Sequence, residues 1–244
     1  MQSMKSPIGT ALVTGGAKRT GAAICRRLAA DGWRLVVHCN RSFSEASALA
    51  QELNDSGDGG HRVVCGDLSS PGGVDAVMAQ CGSLDALVNN ASTYRRIAMD
   101  ALTEESLRAD YEINFFAPFR MMRAFAAQGR AGCIINILDQ RIARLDAGSA
   151  AYSLAKMALA DATRMGAMAW APQGIRVNGV APGYVAPPDG VPMDAMQRHV
   201  DSTPLRCRSS ESQIADAVAF LIGNAAITGE ILYVDAGAHL PPGK

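Results

Sequence analysis

Asp139, Tyr152 and Lys156 are the side chains of this 244-residue sequence best placed to move a proton. Tyr152 and Lys156 stand four apart, so on a helix they share one face, roughly 6 Å apart along the axis. A free phenol titrates near ~10 and is a poor acid at neutral pH. An ammonium beside it favours the phenolate, and a fall of about 3 units would correspond to roughly 4 kcal/mol. A Tyr-x-x-x-Lys pair alone is common on solvated helix faces. Its weight depends on what the rest of the chain supplies.

The second signature is Thr14-Gly15-Gly16-Ala17-Lys18-Arg19-Thr20-Gly21, between an apolar run ending at Val13 and an amphipathic stretch. Strand, Gly-rich turn and helix in that order suit a dinucleotide pyrophosphate. The glycines let the backbone approach, and the helix N-terminus faces the phosphates. The same stretch also reads as an ordinary tight turn. Arg19 occupies the place of the middle glycine in a TGxxxGxG pattern.

Cofactor choice falls after the second apolar run. NAD sites put an acid about 20 residues beyond the turn, for the ribose hydroxyls. Here that place holds Arg41-Ser42, a guanidinium and a hydroxyl that suit a 2′-phosphate, with Lys18 and Arg19 adding charge nearby. NADP(H) is the expected cofactor, although Arg41 also reads as a solvated loop residue.

Positioning these groups requires a fold. Short β-rich runs at 9–13, 34–39, 62–66, 84–89, 132–138, 174–180 and 231–234 alternate with amphipathic segments at 20–31, 43–55, 72–80, 103–128, 149–170 and 211–222. Such alternation predicts an α/β fold: one Rossmann-like doubly wound parallel sheet of about seven strands, helices on both faces, a single domain over 1–244. The long irregular stretch 183–203 follows a strand's carboxyl end and is the expected substrate loop, with a short helix near 193–200.

Hydrophobic residues make up 48% of the chain and its formal net charge is zero, with a pI near 6.9. Neither nucleic acid nor an acidic membrane surface is favoured as a partner. Met1 to Pro7 lacks a signal peptide's apolar stretch, and no window has the ~18 apolar residues of a membrane span. A cytoplasmic protein is expected. Cys25, Cys39, Cys65, Cys81, Cys133 and Cys207 show no ligand spacing, and His38, His61, His199 and His239 form no ligand pair. Buried, reduced thiols and no metal are expected.

These motifs, together with Asp67-Leu68, Asn89-Asn90-Ala91, Asn114 and Asn178-Gly179-Val180-Ala181-Pro182-Gly183 in that order, resemble the short-chain dehydrogenase/reductase family across nearly the whole chain. Within it the sequence looks most like the pteridine reductases. The shared departures are Lys18-Arg19 in the turn, Asn40-Arg41-Ser42 with His38 just before, and Asp139 in place of the usual serine. The threonine expected after Pro182-Gly183 is missing, and Ala186-Pro187 stands there instead.

The resemblance implies roles. Gly15, Lys18, Arg19, Thr20, Gly21, His38, Asn40, Arg41, Ser42, Asp67, Leu68, Asn90, Ala91, Ser92, Pro182 and Gly183, with Tyr152 and Lys156, would bind the cofactor. Asp139, Tyr152, Lys156 and Asn114 would carry the chemistry. Tyr152 would supply the proton that follows a hydride, and Lys156 would hold the nicotinamide ribose. Asn114 would sit at a helix bend and relay protons, or be a buried amide. Arg19, Ser92, Tyr94, Asp139 and Tyr152 would meet the substrate, with Tyr94 stacking on a flat ring for on the order of 1 kcal/mol. An ionised Asp139 would repel a developing oxyanion. It suits a nitrogen heterocycle, accepting from ring N–H and amino groups or, when protonated, donating to ring nitrogen. Asp67 would accept from the adenine amino group or cap a helix, Tyr94 also reads as an exposed loop residue, and Asp139 as a loop cap. The expected activity is NADPH-dependent reduction of a pterin or dihydrofolate-like ring, with Tyr152 and Asp139 as proton donors. Reduction of a 3-oxoacyl thioester, sugar or small ketone is the alternative, and a non-catalytic nucleotide-binding scaffold a third. Family members assemble as tetramers or dimers through the long helices at 103–128 and 149–170, so a homo-oligomer is expected.

Overall fold

The computed structural model describes residues 7–57, 59–187 and 194–241. Its strands are β1 (Thr10–Val13), β2 (Arg34–Cys39), β3 (Arg62–Cys65), β4 (Ala86–Asn89), β5 (Gly132–Ile137), β6 (Ile175–Pro182) and β7 (Ile231–Val234). Its helices are α1 (Arg19–Ala30), α2 (Phe43–Ser56), α3 (Gly73–Cys81), α4 (Glu104–Tyr111), α5 (Ala117–Ala126), α6 (Ala150–Trp170), α7 (Asp194–Asp201) and α8 (Glu211–Gly223). The sheet has the order β3-β2-β1-β4-β5-β6-β7, every pair parallel.

Alternation along each strand divides the apolar residues between two cores. Ala11, Val13, Leu35, Val37, Ala86, Val88, Cys133 and Ile135 face α1, α2 and α8, where they meet Ile24, Leu28, Leu49 and Leu221. Leu12, Val36, Leu87, Ile134 and Val177 face α3, α5 and α6, where they meet Val77, Met121, Phe125 and Leu159. Covered on both sides, the strands can be apolar at nearly every position. The order reverses between β1 and β4, and the crevice beyond their carboxyl ends is where such sheets bind ligands.

The expected helix over 103–128 is interrupted. Glu112–Phe116 forms a π turn between α4 and α5, and the Ala117 N–H reaches back to the Glu112 carbonyl. Pro118 is the cause in sequence: it has no N–H to give to the carbonyl four residues earlier, that of Asn114. The expected short helix appears as α7, while residues 188–193 of the 183–203 stretch lie outside the described residues. Four cysteines are buried as expected, but Cys65 and Cys207 are exposed. No helix among the described residues is long and apolar enough to cross a membrane.

Candidate active site

The Gly-rich turn joins β1 to α1. Gly15 has a φ of +60°, and a Cβ there would lie 3.0 Å from the Ala91 Cα. At Gly21 a Cβ would stand 2.2 Å from the Gly15 carbonyl oxygen, so α1 meets the turn more closely than any side chain permits. Arg19 takes a φ of +51°, the left-handed conformation that a glycine would adopt freely. Its guanidinium crosses to the Ala186 and Pro187 carbonyls at 3.1 and 3.2 Å, tying the turn to the segment after β6. The N-cap of α1, Lys18, makes no side-chain cap, and the first turn carries no acid. The free N–H groups at that helix start suit an anion, the chemistry of a pyrophosphate.

Other residues brace the turn from below. The Thr14 hydroxyl accepts from the Asn90 and Ala91 amides at 2.9 and 3.0 Å, and the Asn90 amide donates to the Thr14 and Gly15 carbonyls. His38 is only 2% exposed. Its Nδ1 accepts from the Gly15 amide at 3.1 Å and its Nε2 meets the Gly66 carbonyl at 3.0 Å. Burial lowers its pKa, favouring the neutral ring this pairing requires. His38 therefore acts as a strut beneath the cleft, without a face toward a ligand. Leu68 likewise buries its side chain in the α3 core, which leaves only its backbone toward the cleft.

The ends of β2 and β3 carry the groups that would choose the cofactor. Asn40 and Arg41 are exposed, and Ser42 caps α2 without spending its hydroxyl on a cap bond. Lys18 pairs with Glu45 at 2.6 Å. Asp67 accepts from the Ser69 amide and hydroxyl at 3.0 and 2.6 Å, which lowers its pKa. It does not cap α3, whose N-cap is Gly72. No acid occupies the β2 end, so the groups present fit a phosphorylated ribose. Pro182 ends β6, and Gly183 lies against Asp235, where a Cβ would be 2.7 Å from the Asp235 Cα.

The residues expected to move a proton meet at the carboxyl end of β5. The Tyr152 hydroxyl donates to Asp139 Oδ2 at 3.1 Å. Lys156, 2% exposed, donates to the Ile137 carbonyl at 2.7 Å, its Nζ 5.8 Å from the Tyr152 ring centroid. Burial pulls Lys156 down to about 8, partly opposed by Asp139. Burial also raises the Tyr152 phenol well above its ordinary value, and the Asp139 charge adds to the rise. This corrects the expectation that Lys156 brings the phenol toward neutrality: the ammonium is spent on a carbonyl, while desolvation and a carboxylate act on the phenol. Tyr152 keeps its proton, the form an acid requires.

Asn114 lies in the π turn, fully buried; its amide donates to the Thr93 carbonyl at 3.0 Å and accepts from the Ser92 hydroxyl at 2.7 Å. It thereby fixes the loop carrying Tyr94, whose ring meets Tyr152 edge-on with centroids 5.0 Å apart. Sequence reasoning passed over Arg141, whose guanidinium joins Asp139 to Asp146 and lies 5.2 Å from the Tyr94 centroid. It also passed over a buried chain from Asn89 to Asn136 (2.9 Å) to Thr163 (2.8 Å) that pins α6 to the sheet. The available signal was an amide in each of two otherwise apolar strands. A concavity of about 770 Å³ between α3 and α5, with Ser70, Asp75, Arg120 and Arg123 in its lining, lies away from this cluster. Among the described residues no His, Cys, Asp and Glu side chains group as metal ligands.

A parallel sheet with a Gly-rich turn at its switch point and a Tyr–Lys pair beyond β5 defines a dinucleotide-dependent oxidoreductase. The short chain dehydrogenase family model matches residues 9–197, and the chain belongs to that family. It is 32% identical to pteridine reductase 1 of Leishmania tarentolae, over 94% of this chain and 96% of that one. The crystal structure of the FolM alternative dihydrofolate reductase 1 from Brucella suis, in complex with NADP, superposes with a TM-score of 0.90 at 33% identity, covering 98% of each chain. A 3-oxoacyl-[acyl-carrier-protein] reductase, FabG of Staphylococcus aureus, is 29% identical over 95% of this chain and 98% of its own.

Proposed function

We propose that this chain is an NADPH-dependent reductase acting on a pterin or dihydrofolate-like ring. The observation that carries the reading is the Asp139 carboxylate at the end of β5, bonded to the hydroxyl of Tyr152, whose ring meets Tyr94 edge-on. A carboxylate there opposes an oxyanion and suits the N–H groups of a diazine ring. The similarity to a pteridine reductase and to an alternative dihydrofolate reductase supports the same reading.

Bound NADP(H) supplies the hydride. Gly15, Arg19, Thr20 and Gly21 would hold its pyrophosphate, Lys18, Asn40, Arg41 and Ser42 its 2′-phosphate, and Asp67 its adenine. Asn90, Ala91, Ser92, Pro182 and Gly183 line the remainder, with His38 and Leu68 supporting from beneath. Tyr152 gives a proton to the substrate, Lys156 holds the ribose, and Asn114 fixes the Ser92–Tyr94 loop. Residues 1–244 act as one domain, with 183–203 as the substrate loop. Exposed Phe116 on the π turn and Leu154, Met165 and Met168 on α6 offer an apolar face for self-association.

Reduction of a 3-oxoacyl thioester is the second reading, favoured by the Tyr152–Lys156 pair and the FabG relative. NADPH oxidation with 7,8-dihydrobiopterin, dihydrofolate and acetoacetyl thioester separates the two. Pterin or folate turnover, lost by about 10²-fold or more in Tyr152→Phe and replaced by thioester turnover in Asp139→Ser, is expected. Turnover of the thioester alone by the unaltered protein would sink the pterin reading.

A further inference from the structure

We infer that Arg141 is a positioning residue that holds Asp139 as a hydrogen-bond acceptor toward the substrate, so that the proton delivered with the hydride comes from Tyr152 alone. The inference rests on the function proposed above and departs from the expectation that Tyr152 and Asp139 are both proton donors: Asp139 is no acid.

Four hydrogen bonds from three donor groups converge on the Asp139 carboxylate. Arg141 Nη1 reaches Oδ1 at 3.0 Å and Oδ2 at 3.1 Å. The Arg141 backbone amide donates to Oδ1 at 2.9 Å, and the Tyr152 hydroxyl to Oδ2 at 3.1 Å. A proton on either oxygen would have to displace one of these bonds. The pair is also largely withdrawn from water, with side-chain exposures of 17% for Arg141 and 14% for Asp139. A guanidinium does not deprotonate in a protein, so this cation is permanent.

The other edge of Arg141 fixes where the carboxylate points. Its Nε donates to Asp146 Oδ2 at 3.0 Å. Asp146 in turn accepts from the Gly148 amide at 2.9 Å and the Ser149 hydroxyl at 2.8 Å, at the turn that opens α6. One side chain therefore ties Asp139 to the start of the helix carrying Tyr152 and Lys156. Its face rests on Tyr94, which meets Tyr152 edge-on. The charged and titratable groups acting on Asp139 are Arg141 from the β5–α6 connection and Tyr152 and Lys156 from α6, while Asp146 and Tyr94 act on Arg141. Of the two cations, Lys156 is the one burial can discharge, at about 8.

When the Tyr152 hydroxyl turns from Oδ2 to the ring, the site it leaves accepts one ring N–H or amine hydrogen, while Arg141 keeps the other three. The proton account then closes without Asp139. The bound dinucleotide supplies one hydrogen with two electrons. The second hydrogen is the Tyr152 proton, whose O–H bond breaks as an N–H bond forms on the ring, and solvent returns a proton to the phenolate.

The test is the pH profile of kcat/KM for NADPH with 7,8-dihydrobiopterin, in the unaltered enzyme and in Arg141→Gln, Arg141→Lys and Asp139→Asn. Removing the cation favours the protonated carboxyl. If that form is inactive, Arg141→Gln loses about tenfold or more on the acid side and less on the alkaline side, moving the acid limb upward. Arg141→Lys restores part of the loss, and Asp139→Asn, which exchanges an acceptor for a donor, is impaired at every pH. If Asp139 is an acid, the signs invert. Arg141→Gln then gains activity at neutral pH, Asp139→Asn keeps much of it, and the inference is overturned. Should Arg141→Gln fail to bind NADPH by fluorescence titration, Arg141→Lys and Asp139→Asn decide between the same two outcomes. Absence of pterin turnover in the unaltered enzyme overturns the proposed function and this inference together; inverted signs with intact turnover overturn the inference alone.

Discussion

Replacing Lys156 by Met, a side chain of similar length without charge, should abolish turnover and flatten one part of the stability profile. Lys156 is buried, and its folded-state value of about 8 lies below the ordinary 10.5. A lysine depressed on folding penalises the folded state fully below its folded value; the penalty fades as pH rises from that value to the unfolded one and is gone above it. The gap of 2.5 units, at about 1.4 kcal/mol per unit, sets the full penalty near 3 kcal/mol. Most of it is present at about pH 7 and under 1 kcal/mol remains at about pH 10. Urea unfolding of both proteins across that range isolates the effect, because every other titrating group cancels in the difference. The advantage of Lys156→Met should shrink by about 2 to 3 kcal/mol between those limits. The lost hydrogen bond to Ile137 moves the whole difference without changing its slope. Parallel stability curves over the range would refute the desolvation argument.

Arg19→Gly should relieve the positive φ and raise thermal stability by up to about 1 kcal/mol. It should also free the segment at Ala186 and Pro187, read as faster limited proteolysis there. Gly21→Ala must push the helix start away from Gly15, at a cost of about 1–3 kcal/mol and with weakened NADPH binding by fluorescence titration. Light scattering should show more than one chain per particle, and Met168→Glu with Leu154→Glu should return it to a single chain; an unchanged mass would sink the α6 face.

The strands were legible because a sheet covered on both sides needs continuous apolar runs, and turns of glycine and polar residues bounded them. The expected runs 34–39 and 231–234 coincide with β2 and β7. Tyr152, Lys156 and Asp139 were legible as a group because helical spacing and one β–α connection bring them together. What escaped was set by distance in sequence or by local geometry. Arg141 reads as one more loop cation until Asp146 is seen to close the other side. His38 is indistinguishable from a ligand-facing residue until Gly15 and Gly66 approach it from two other strands' ends. Phenol and ammonium were expected to interact because they share a helix face. The carbonyl of Ile137 that claims the ammonium comes from β5, 19 residues earlier.

The π turn at Glu112–Phe116 amounts to one surplus residue held inside an otherwise regular rod. Each residue turns a helix by about 100°, so α4 and α5 run out of phase by that angle. Cutting one residue from this turn would bring the two into phase, with Pro118 leaving a kink at the join. Circular dichroism would record no loss of helix, and the fold would survive. Asn114 would nevertheless rotate away from Ser92 and Thr93, and the Tyr94 loop would lose its anchor. Such a deletion would be silent to every measure of secondary structure and visible only in turnover.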